Sequence, residues 1–66
     1  MEDYLKRKRD EYVEAGKKAL DDAADYLHRN CDDWSDLHED IYLQYVNTAS
    51  TCLAKAVAVI DILENA

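Results

Sequence analysis

The residues of this chain that could do chemistry gather in its middle. Asp25 and His28 stand three apart, and His38 with Glu39 follows, so carboxylate and imidazole donors of the kind that bind divalent metals are at hand. A metal inside a helical bundle needs ligands aimed inward, as Glu-x-x-His pairs are, and no such pair occurs. On a helical wheel Asp25 and His28 straddle the solvent side instead of converging. Cys31 is followed by Asp32 and Asp33, acids that disfavour a reactive thiolate, while Cys52 lies in an apolar run and reads as a small core residue. No serine or cysteine stands beside a histidine and an acid in a nucleophile's spacing, and no glycine-rich loop could cradle phosphate. The expectation is a protein that is not an enzyme, with no catalytic residues, no metal and no cofactor.

Charge is the stronger signal. Residues 21–40 hold eight carboxylates, Asp21, Asp22, Asp25, Asp32, Asp33, Asp36, Glu39 and Asp40, against Arg29 alone, which accounts for the whole formal net charge of −7. Such a stretch is either a solvated, helix-capping turn or a docking surface for a basic protein, as in an inhibitor that mimics DNA. On the second reading Asp32, Asp33, Trp34, Asp36, Glu39 and Asp40 form the contact, with Trp34 as an aromatic anchor ringed by charge. Trp34 could equally fold down and plug the end of a bundle. The one basic cluster, Lys6-Arg7-Lys8-Arg9, points around nearly the whole helix. Its expected partners are Asp61, Glu64 and the terminal carboxylate of a neighbouring helix. Glu11 and Glu14 have the Glu-x-x-Glu spacing found in helical nucleotide pyrophosphatases, but the opposing stretch, Ser50 to Leu53, lacks the partner acids, so the pair reads as exposed helix surface.

These groups are positioned by helices. Leu5, Tyr12, Gly16, Ala19, Leu20, Ala23, Tyr26 and Leu27 recur every three or four residues and predict a helix over about 3–29. A second helix over about 36–64 carries two stripes: Leu37, Ile41, Tyr45, Thr48, Cys52, Ala56, Val59 and Leu63, flanked by Tyr42, Val46, Ala49, Leu53, Val57 and Ile60. The polar stretch Asn47–Thr51 is a competing break, but the apolar phase runs through it. A loop over about 30–35 is short enough to make the helices antiparallel. Asn30 is expected in the left-handed conformation that ends many helices. Ser35 or Asp36 should cap the second helix, with Asp36 and Glu39 at the spacing of a variant capping box. Ala15, Gly16, Ala19 and Ala23 facing Ala49, Cys52 and Ala56 would let the backbones approach closely. The fold class is therefore all-α, a single antiparallel hairpin domain over residues 1–66.

A hairpin of 66 residues buries little, and its second helix is apolar over half its circumference. The simplest repair is a homodimeric four-helix bundle, with Ala49, Cys52, Leu53, Ala56, Val57 and Ile60 at the dimer interface and the twofold axis near Ser50. Cys31 and Cys52 would lie on the order of 30 Å apart along one helix, too far for a disulfide, and two free thiols favour a cytoplasmic location. The amino terminus lacks a signal-peptide layout, and the apolar run Cys52–Leu63, with Lys55 and Asp61 inside it, is too short for a membrane span.

In architecture the chain resembles the RNA one modulator (Rop) family of plasmid proteins, short acidic helical hairpins that dimerise into four-helix bundles and bind paired RNA hairpins. The segment Ser50-Thr51-Cys52-Leu53-Ala54 echoes one of that family. The resemblance implies RNA binding along the first helix, through Lys6, Arg7, Lys8, Lys17 and Lys18, although Glu11, Glu14 and Asp25 interrupt that face here. Three functions are thus in view: an acidic regulator or inhibitor of a basic protein, a Rop-like RNA-binding homodimer, and a structural subunit of a larger helical assembly. The first accounts for where the charge lies.

Overall fold

With no proline, and apolar residues spaced by three and four, each half of the chain winds as one uninterrupted helix. The computed structural model describes residues 1–65; the terminal carboxylate named above as an ion-pair partner lies outside them. Helix α1 spans Glu2–Asn30, a single 3₁₀ turn covers Cys31–Asp33, and helix α2 spans Asp36–Asn65. Glu2 and Asp3 in the first turn of α1, and His28 and Arg29 in its last, complement the helix dipole. The polar stretch of α2 stays helical. There Thr48 Oγ1 donates to the Gln44 carbonyl at 3.0 Å, so its hydroxyl is satisfied without leaving the helix.

The reversal between the helices is made without any left-handed residue. Asn30 lies at φ −121° and ψ 7°, contrary to expectation. Its side-chain amide instead donates back to the Tyr26 carbonyl at 2.8 Å, one turn earlier in α1. The chain then tightens into the 3₁₀ turn, Trp34 extends at ψ 133°, and α2 begins.

The helices meet along a seam of small residues. Gly16, Ala19 and Ala23 of α1 and Ala49, Ala56 and Val59 of α2 are its buried members. Ala15, expected there, faces solvent, because it falls one position off the stripe that Gly16 and Ala19 define; Cys52 is only half-buried. At Gly16 a β-carbon would come within 2.8 Å of Leu53 Cγ and Cδ2, so the missing side chain is what admits Leu53. Among the described residues no large side chain is fully buried. The hairpin measures 49 × 15 × 12 Å with a radius of gyration of 15.0 Å, against about 11 Å for a compact domain of this length. It is a rod with a thin core.

The 12-residue apolar run seen in the sequence understates α2. Taken whole, α2 is long and apolar enough to cross a membrane, with a mean hydropathy of 1.4 over a stretch that is only 17% buried in the hairpin. On length and composition this corrects the expectation that no segment qualifies. Lys55 and Asp61 remain inside the helix.

Candidate functional site

The acidic end of the rod is built on a helix cap. The Ser35 carbonyl accepts the first α2 hydrogen bond, from the Glu39 N–H at 3.0 Å, which makes Ser35 the capping residue and leaves Asp36 in the first turn. The His38 N–H donates to Ser35 Oγ at 3.4 Å, and the Ser35 N–H donates back to His38 Nδ1 at 3.1 Å. This is a reciprocal capping box with imidazole in the place of the usual carboxylate. Because Nδ1 accepts from a backbone N–H, it is the unprotonated ring nitrogen of that geometry. The sequence pointed to Ser35 or Asp36, with Glu39 three after Asp36; the structure selects Ser35 and His38.

The same imidazole supports an aromatic cluster. Trp34 stacks on His38 with ring centroids 5.6 Å apart and planes 25° from parallel. It meets Tyr26 at 6.1 Å and Tyr42 at 5.9 Å, both edge-on, and Tyr26 packs against Tyr45 at 5.9 Å. Edge-on and offset geometries of this kind are the favoured ones for aromatic pairs. Trp34 is thus half-buried and folded across the end of the hairpin. It packs down on the end of the hairpin, against Tyr26, His38 and Tyr42.

Around this plug the carboxylates stand in water. All eight acids of residues 21–40 are exposed, Asp32, Asp33, Asp36, Glu39 and Asp40 included, and among the described residues only Asp25 forms an ion pair, with Arg29 one turn on. Asp25 is thereby paired within α1. Among the described residues no group of three or more His, Cys, Asp or Glu is placed to hold a metal ion. Both cysteines are free, Cys31 exposed and Cys52 half-buried; the Cys31 thiol lies 3.5 Å from the His28 carbonyl and donates weakly to it.

The other end is neutralised from within α1. Lys6 pairs with Glu2 at 3.2 Å, Lys8 with Glu11 at 3.2 Å, Arg9 with Asp10 at 3.0 Å and Lys17 with Glu14 at 3.9 Å. Lys6 and Arg9 do not reach Asp61 or Glu64 as expected, since acids on the same helix, one turn away for Lys6 and adjacent in sequence for Arg9, are nearer and cost less side-chain ordering. Glu11 accepts a hydrogen bond from Lys8 and holds its ammonium above the ordinary pKa of 10.5. Lys55 of α2 lies 5.8 Å over the Tyr12 ring, the one cation–π contact across the helices among the described residues. The five cations suited to RNA, Lys6, Arg7, Lys8, Lys17 and Lys18, remain dispersed, three of them tied to glutamates.

Of the residues assigned to a dimer interface, Ala49 and Ala56 are enclosed between α1 and α2, at 1% and 2% exposure. Cys52, Leu53 and Ile60 are half-buried, and Val57 is open at 64%. Cys52 borders a shallow depression of about 370 Å³ with Asn47, Thr48, Thr51 and Lys55. Leu20 and Leu27, which the apolar stripe of α1 places against the second helix, are exposed at 46% and 39%. No family model, no curated protein and no solved structure matches this chain.

Proposed function

We propose that the chain is a small, non-catalytic regulator or inhibitor that works in the cytoplasm as a homodimeric four-helix bundle and meets a basic protein surface with its acidic tip. One observation carries this reading. The tip presents eight exposed carboxylates with a single internal ion pair, while the cations of α1 are largely matched by acids on their own helix. A field of one sign at one end of a rod steers and selects an oppositely charged partner. The capping box and the stacked Trp34 hold the 3₁₀ turn in one geometry, so the charges are presented with little ordering left to do on binding.

The test is a titration of the full chain with a basic probe, an oligo-arginine peptide, followed by Trp34 fluorescence at low and physiological salt. Binding should weaken as salt rises, and replacing Asp32, Asp33 and Asp36 together by asparagine should cost at least about tenfold in affinity while leaving the helical content unchanged. Equal affinity of the triple variant would return the tip to a solvated turn. Tight, salt-sensitive binding of an RNA hairpin by the native chain, lost on replacing Lys17 and Lys18, would instead favour the RNA reading.

A further inference from the structure

Pairing α1 with α2 uses one strip of each helix and leaves a second strip of both on the same side of the rod. Tyr12 meets Lys55, and Tyr26 meets Tyr45, along one edge of the seam. Along the other edge Leu53 laps Gly16. Helical spacing brings Leu20 and Leu27 of α1, and Leu43 and Val57 of α2, to this second edge. Their exposures are 46%, 39%, 45% and 64%.

We propose that this leucine edge, deepening and resting on the homodimer reading above, seats a second copy of the chain. The two hairpins lie antiparallel, so that each acidic tip projects beside the Lys6–Arg9 end of its mate. Three observations select this occupant. The hairpin encloses only small side chains and Val59, too little for a chain of this length to stand alone. A face 49 Å long and 15 Å wide offers on the order of 700 Å² per copy, close to the ~800 Å² per partner of a standard stable interface. Charge then fixes the direction. Tip beside tip would bring together two stretches that each carry −7, whereas antiparallel placement separates them by the rod's length and sets each beside an end whose cations and acids nearly balance. In this arrangement α2 meets α2 near Ser50, which is exposed, and Cys52, on the Tyr12 edge with Lys55, is turned away from its mate.

Sedimentation velocity and thiol crosslinking on the full chain test this. The native chain should sediment as a dimer at micromolar concentration. Val57→Glu changes a side chain already open in the hairpin, so it leaves the seam intact; it should raise the dimer dissociation constant at least tenfold. With Cys31→Ser and Cys52→Ala in place, Ser50→Cys should crosslink two copies through a disulfide or a short bis-thiol reagent, which needs Cα atoms within ~7 Å for the disulfide. A monomeric native chain, or a Val57→Glu dimer of undiminished affinity, overturns the face. Linkage through native Cys52 moves the interface to the opposite edge, and linkage through Cys31 reverses the direction; either overturns the proposal. The oligo-arginine titration is read separately: a monomer that still binds the peptide leaves the tip reading standing, and a dimer that does not bind leaves this one.

Discussion

At the scale of single residues, the missing side chain of Gly16 and the imidazole of His38 carry the sharpest expectations. Gly16→Ala gains up to about 1 kcal/mol of helix propensity. Its new β-carbon must displace Leu53 atoms 2.8 Å away, and overpacking of that kind costs about 1–3 kcal/mol. The repacking term wins, so urea unfolding should show a net loss of about 1 kcal/mol, and more for Gly16→Leu. An unchanged or raised midpoint for the alanine variant would mean that the helices do not need this close approach. His38→Ala should lose about 1 kcal/mol by leaving the Ser35 N–H without its acceptor, whereas His38→Gln, whose carbonyl oxygen can accept the same bond, should keep most of it. Lys8 gives a pH-dependent expectation. Glu11 raises its pKa in the folded chain, so the associated stabilisation is complete at neutral pH and fades as pH climbs through that raised value. Glu11→Gln should lower the Lys8 titration midpoint measured by NMR.

At the scale of elements, the two helices and their antiparallel pairing were legible because apolar periodicity and the lack of proline admit few alternatives. Their ends were less so. Asn30 invites a left-handed cap by residue type, yet its amide can also reach back to Tyr26, and only the three-dimensional course of the turn decides between them. Asp36-x-x-Glu39 and Ser35-x-x-His38 compete at adjacent positions, and the winner pairs a hydroxyl, the smaller cap, with a ring that also stacks on Trp34. The ion pairs were misplaced for a related reason: wheel positions show which residues could meet across helices but not that a same-helix acid is closer. The exposure of the acids at the tip was legible, because exposed charge needs no packing partner; the packing of Trp34 was not, because it depends on Tyr26, Tyr42 and His38 converging from three turns of the fold. Trp34→Ala should therefore loosen the tip. Removing this half-buried ring should cost about 2 kcal/mol, less than the 3–5 kcal/mol of a fully buried aromatic, and amide exchange should quicken first at residues 26–42 while the Gly16–Leu53 crossing stays protected.

At the scale of the whole molecule, the rod carries its stabilising interactions unevenly. Its seam is thin, and the proposed second copy predicts an apparent melting temperature that rises with protein concentration, as mass action requires of an associating fold. A midpoint independent of concentration over a hundredfold range would mean that the hairpin is self-sufficient. The ion pairs described here all lie inside α1, none more than four residues apart, whereas α2 has none and relies on burial. Local contacts need no loop closure and can form in a short peptide. Order of synthesis then becomes part of the design. While the chain is being made, α1 leaves the ribosome first and can already hold fluctuating helix on its own charges. When the apolar α2 follows, a template with an alanine-lined groove is waiting, which shortens the time that the stickiest segment of the protein spends uncovered.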